Sequence, residues 1–123
     1  MDYVTWARAG SAAMFLAVAL GAFGAHALKA VLSDEMKAVF ETGVRYQTYH
    51  ALGLFAAAWL GSRFPSRFVS AAGACFMGGI ILFSGSLYAL SLTGIRKFGA
   101  VTPLGGLLFL IGWTLLLLAP YKA

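Results

Sequence analysis

The chain has 123 residues, 61% of them hydrophobic before its 15 Gly are counted, and only 11% are charged. Soluble domains hold about 45–50% apolar residues with Gly included and about 25% charged ones, so this composition excludes a water-soluble domain, and a disordered tail would need the opposite balance. An integral membrane protein remains, and a net charge of +5 fits anchoring to anionic headgroups without any reason to invoke nucleic acid.

The charged residues leave four long uncharged stretches. Arg8 and Lys29 bracket twenty residues, Arg45 and Arg63 seventeen, Arg67 and Arg96 twenty-eight, and Lys97 and Lys122 twenty-four. A helix rising ~1.5 Å per residue needs about 20 residues to cross ~30 Å of hydrocarbon. The expected fold is therefore an all-α membrane protein, one four-transmembrane-helix bundle over residues 1–123, with spans at 7–28, 46–61, 68–92 and 103–119. Both termini fall on one side.

In the first window, Arg8 precedes an apolar run ending in Ala25-His26-Ala27, a small-x-small pattern of the kind found at signal-peptide cleavage sites. The run exceeds the ~7–15 residues of a signal peptide's apolar region, so it is read as a span. Ahead of the second window, Ser33 is a good N-cap, Asp34 and Glu35 suit the helix dipole, and Met36, Val39, Phe40 and Val44 recur at helical spacing. This amphipathic segment precedes the second span and either lies in the interface or continues the helix past Gly43. On its polar stripe Glu41 and Arg45 stand one turn apart in the favourable order, so a surface ion pair is the plainer role for Arg45. Cys75 lies inside the third window, has no second Cys to pair with, and reads as a small packing residue. Pro103 suits the first turn of the fourth helix.

Basic residues divide four against five. Arg8, Arg63, Arg67 and Lys122 are on the side of the termini and Lys29, Lys37, Arg45, Arg96 and Lys97 on the other. The amino terminus evens the count, and the crowding of Arg63 and Arg67 in one short turn gives termini-inside a slight edge.

Larger polar side chains gather toward one membrane face. His26 ends the first helix; Tyr46, Gln47, Tyr49 and His50 open the second; Ser84, Ser86 and Tyr88 lie late in the third; and Thr102 opens the fourth. Intramembrane ionisable residues are functional candidates by default, although histidines at the boundary also serve as hydrogen-bonded packing. Separately, Ala13, Ala17, Gly21 and Ala25 recur at steps of four, flanked by Gly10 and Gly24, and Ala74 and Gly78 repeat the pattern on the third helix. Such small-residue faces let another backbone approach closely, within the chain or in a homo-oligomer.

Sharper chemistries lack the residues they need. Bis-histidine haem would use both His residues, His26 and His50, with no Cys-x-x-Cys-His present; zinc would add only Glu41 to them. A serine hydrolase would pair Ser84 or Ser86 with His50, but Gly-x-Ser-x-Gly is absent. No Asp or Glu lies within a span, which disfavours carboxylate-coupled antiport. No cofactor or metal is expected.

Four motifs in order, Gly21-Ala-Phe-Gly-Ala-His-Ala-Leu28, Phe40-Glu-Thr-Gly-Val-Arg-Tyr-Gln-Thr-Tyr-His-Ala-Leu52, Phe83-Ser-Gly-Ser-Leu-Tyr88 and Val101-Thr-Pro-Leu-Gly-Gly106, resemble the domain-of-unknown-function 423 family of bacterial inner-membrane proteins, to which eukaryotic transmembrane protein 256 belongs. The resemblance runs through nearly the whole chain. It implies a small four-helix protein of the cell membrane and no established activity, substrate or cofactor. His26, Arg45, Tyr46, Gln47, His50, Ser84, Ser86 and Tyr88 match its motif positions and are the ligand-binding candidates. The function expected first is non-enzymatic: a one-sided polar pocket binding a lipid headgroup, quinone or small amphiphile, or support of membrane-protein assembly. The alternative is a small-solute transporter or channel subunit, with a haem-binding protein or hydrolase behind it.

Overall fold

The structure, a computed structural model, describes residues 3–122. Among these there is no strand, and four helices account for most of the chain. Helix α1 runs Tyr3–Leu28, α2 Asp34–Arg63, α3 Arg67–Thr93, and α4 Thr102–Leu118, entered through one 3-10 turn at Arg96–Ala100. Three stretches, Tyr3–Leu28, Arg67–Thr93 and Arg96–Leu118, are long and apolar enough to cross a membrane.

The helix boundaries reflect local chemistry. The Ser33 hydroxyl accepts the Met36 N–H at 3.2 Å, with Asp34 and Glu35 in the first turn; Ser66 accepts the Phe68 N–H at 3.1 Å; and Pro103 occupies the first turn of α4. The two hydroxyls satisfy N–H donors that a helix start leaves orphaned, and Pro103 has no N–H to orphan. At the end of α3, Gly94 takes φ 72°, the left-handed turn that glycine adopts without a Cβ penalty, and its N–H bonds the Leu90 carbonyl at 2.8 Å.

The structure settles one open alternative and adds one feature that the sequence did not indicate. The amphipathic segment continues into the second span as one helix, 30 residues long and about 45 Å from end to end at ~1.5 Å per residue, starting at Asp34 behind the Ser33 cap. Helices α1 and α3 also each contain a π-helical turn, at Ala19–Gly24 and Ile80–Ser84. A π-turn inserts an extra residue and rotates the rest of the helix relative to an unbroken α-helix.

Helix α1 packs chiefly on α2, α2 on α3 and α3 on α4, while α1 and α4 share no comparable interface. Both chain ends meet the α2–α3 turn: the Phe64 and Tyr121 rings are 5.4 Å apart, and a Cβ on Gly61 would lie 3.6 Å from the Tyr3 Cβ. The α1 small-residue face lies against α2, within the chain. A Cβ on Gly10 would sit 3.1 Å from the Ala51 carbonyl oxygen and one on Gly21 3.3 Å from Val44 Cγ1, and Ala17 is buried. On α3, Gly78 faces Leu108 but Ala74 is exposed; the close contacts are made by Gly73 under the Trp6 ring and Gly79 under the Phe109 ring. Glycines of α2 and α4 receive rings in the same way, Gly43 from Tyr88 and Gly112 from Phe76. Lipid tails are as apolar as Leu, so close packing of this kind, and not water exclusion, holds such helices together. Cys75 joins it, its Cβ 3.3 Å from where a Cβ on Gly112 would be. Outside, large apolar side chains such as Phe15, Phe23 and Leu117 stand free, a surface made for lipid.

Candidate functional site

The continuity of α2 sets the depth of the candidates it carries, Arg45, Tyr46, Gln47 and His50. His50 is sixteen residues into that helix, about 24 Å from its start at ~1.5 Å per residue, and lies near the middle of the bundle. His26 stays at the far end of α1 with an exposed side chain. Gly24 opposite Phe40, Gly21 opposite Val44 and Gly10 opposite Ala51 fix the α1–α2 register, which separates the two histidines by about 20 Å along the bundle. The pocket expected to contain both His26 and His50 does not form.

His50 is 4% exposed. Its ring stacks on Phe109, centroids 3.5 Å apart and planes within 6°. Its Nδ1 lies 2.7 Å from the Tyr46 carbonyl and its Nε2 3.0 Å from the Trp113 indole nitrogen. A carbonyl only accepts and an indole N–H only donates, so this pair of partners requires the neutral ring with its proton on Nδ1.

Gln47 bridges three helices. Its amide Nε2 donates to the Ala13 carbonyl of α1 at 2.7 Å, and its Oε1 accepts from the Tyr88 hydroxyl of α3 at 2.7 Å. The Tyr88 ring packs on Phe40, 5.2 Å between centroids. Beside it the Ser84 hydroxyl, carried on the π-turn, donates to the Gly43 carbonyl at 2.6 Å. Ser86 belongs to a third set, bonded to the Phe83 carbonyl at 2.9 Å and to Thr102 Oγ1 at 2.5 Å. Tyr46 is half-exposed and lays its ring on Phe83 at 4.7 Å. Arg45 is exposed, and its expected pair with Glu41 is not formed; the ion pairs among the described residues are Lys37–Asp34 at 3.5 Å and Arg96–Glu35 at 3.3 Å.

The candidates thus fall into separate hydrogen-bonded sets, and no buried side-chain nitrogen or oxygen among the described residues lacks a partner. Ser84 and His50 are engaged elsewhere, so the nucleophile–base pair of a hydrolase is not assembled, and the two histidines are too far apart in depth to share a haem. Sequence reasoning missed Trp113 and Phe109, which sit in an unbroken apolar run with nothing to distinguish them from lipid-facing residues. It also missed the carbonyls of Ala13 and Gly43, which carry no sequence signal at all.

Next to the Gln47 bridge a groove of about 420 Å³ opens between α1 and α3, walled by Ala9, Ala12 and Leu16 on one side and Met77, Ile81 and Gly85 on the other, with Gln47 and Tyr88 in its lining.

A profile of the family described as "Protein of unknown function (DUF423)" matches residues 20–106, more than half of the chain. The chain is 48% identical over 114 residues to the UPF0382 membrane protein YwdK of Bacillus subtilis, covering 92% of this chain and 93% of that one. It is 46% identical over 113 residues to the UPF0382 membrane protein SH2409 of Staphylococcus haemolyticus, covering 92% of each. No solved structure matches.

Proposed function

Because the chain belongs to the DUF423 family and, like its bacterial relatives, is a membrane protein, we propose that it crosses the bilayer four times and works without catalysis, holding an apolar amphiphile in the groove between α1 and α3. The observation that carries this is the groove itself: a lipid-facing trough of about 420 Å³ whose lining is apolar except at Gln47 and Tyr88. The Gln47 amide N–H not spent on Ala13 gives a carbonyl-bearing amphiphile, a quinone or an ester, a donor at that depth, since the Tyr88 hydroxyl proton is already given to Gln47 Oε1.

Four crossings are supported by the surroundings of α2. Its mean hydropathy falls short because Gln47, His50 and small residues line its length, yet these side chains are buried against α1, α3 and the rings of α4. The outer face of α2 carries Leu52, Phe55 and Trp59 toward lipid, and about 45 Å of helix matches a bilayer with its headgroups.

Gly85 supplies the test, because a Cβ there meets nothing within 4 Å. Gly85→Leu puts a side chain into the trough from a Cβ position that is free of neighbours. With an amphiphile bearing a photoreactive group in its tail, labelling of wild-type α1 and α3 peptides is expected to fall several-fold in Gly85→Leu at unchanged melting temperature. Labelling equal in both proteins and spread over all lipid-facing surfaces refutes the groove.

A further inference from the structure

Helix α2 carries two charges, Glu41 and Arg45, that enter no ion pair among the described residues. Glu41 and Arg45 lie on its surface, about 10 Å and 17 Å along the helix from Asp34 at ~1.5 Å per residue. The α1–α2 register places them beside residues 20–24 of α1, inside its apolar stretch and below Lys29. The nearby Lys37 is taken by Asp34 and Arg96 by Glu35. An ion at hydrocarbon depth is costly unless it is paired or snorkels to the interface, so a partner from outside the chain is favoured. Two depressions adjoin there, of about 290 Å³ and 270 Å³, sharing Ala25, Phe40 and Glu41. Together they make one furrow along the α1–α2 seam, with Lys29 at its outer end and Arg45 at its inner end.

We propose that this furrow binds one phospholipid whose headgroup carries a phosphate and a primary ammonium. The order of charges selects it. Going outward from the bilayer centre the helix presents a cation, Arg45, and then an anion, Glu41; such a headgroup presents a phosphate and then an ammonium. Arg45 holds the phosphate with its forked guanidinium, Glu41 accepts N–H bonds from the ammonium, and the tails lie against Phe40 and Val44. A purely anionic headgroup would satisfy Arg45 but set its charge beside the Glu41 carboxylate. A quaternary ammonium has no N–H to give. The site rests on α2 crossing the membrane and is independent of the α1–α3 groove.

The experiment offers the purified full-length chain equimolar phosphatidylethanolamine, phosphatidylcholine and phosphatidylglycerol of matched tails in micelles and reads retained lipid by native mass spectrometry. The ethanolamine lipid is expected to be retained about tenfold over either competitor, the equivalent of one charge-assisted hydrogen bond. Glu41→Gln abolishes the preference over phosphatidylcholine, and Arg45→Gln lowers retention of all three, both at unchanged melting temperature because neither side chain is packed in the core. Gly85→Leu leaves the preference intact, so failure of the groove and failure of the furrow read out separately. Equal retention of the three lipids overturns the proposal, as does preference for phosphatidylglycerol, which would make the furrow a plain anion site. A dimer mass lost in both Glu41→Gln and Arg45→Gln also overturns it, by making a second copy the occupant.

Discussion

Gly43→Ala sets two effects of opposite sign against each other at one atom. Gly43 lies in the interior of α2, where alanine is favoured over glycine by about 1 kcal/mol of helix propensity. The new methyl, however, would sit 2.7 Å from Tyr88 Cε1 and 3.2 Å from Cδ1, so the ring has to move. Overpacking of this kind costs about 1–3 kcal/mol. Moving the ring also draws the Tyr88 hydroxyl away from Gln47 Oε1, now 2.7 Å distant; side-chain bonds of this type in membranes average about 0.6 kcal/mol. The net expectation is a loss of roughly 0.5 to 2.5 kcal/mol, measured as the shift in unfolding midpoint with rising sodium dodecyl sulfate fraction in mixed micelles. A second substitution separates the causes. Tyr88→Leu removes both ring and hydroxyl, and Gly43→Ala introduced into that background should become neutral or stabilising. If Gly43→Ala alone raises stability, or the two substitutions add, the ring does not occupy the glycine site and the packing account is wrong.

Trp113→Phe leaves His50 Nε2 without its donor and should lower stability by about 0.6 to 1.7 kcal/mol; nitrogen-15 spectra of the wild type should show a single His50 tautomer protonated at Nδ1, and averaging between tautomers would refute the bond. Gly21→Leu places a branched side chain where Val44 Cγ1 is already 3.3 Å from a Cβ position, with an expected loss of about 1–3 kcal/mol; unchanged thermal stability in detergent counts against α1–α2 contact there. In a Cys75→Ala background, single cysteines at Ser33 and Gly94 should react with an impermeant maleimide from one side of the membrane and those at Ser66 and Tyr121 from the other. Labelling of Ser33 and Ser66 positions from the same side would show that α2 does not cross.

Composition and the spacing of charges were enough to establish the class of protein and three of its helices. The uncharged windows predict spans at 7–28, 68–92 and 103–119, against Tyr3–Leu28, Arg67–Thr93 and Thr102–Leu118 in the structure, because a helix bathed in lipid must be apolar along its length and charge marks where that demand ends. The same logic failed for α2. Helix α2 begins twelve residues before Tyr46, where the Ser33 cap indicates, and its Gln47 and His50 face protein, so the hydropathy of an uncharged window does not by itself place it. Reading the span from the uncharged window alone put His50 near the membrane face and beside His26. Partners were settled by packing in three dimensions: Ala13 and Gly43 offer backbone carbonyls, which every residue has, and Trp113 and Phe109 differ from their apolar neighbours only in which way they point. The π-turns at Ala19–Gly24 and Ile80–Ser84 rotate the residues beyond them away from a regular 3.6 period, so direction on α1 and α3 cannot be counted from spacing; it is set when rings from neighbouring helices settle into the glycines.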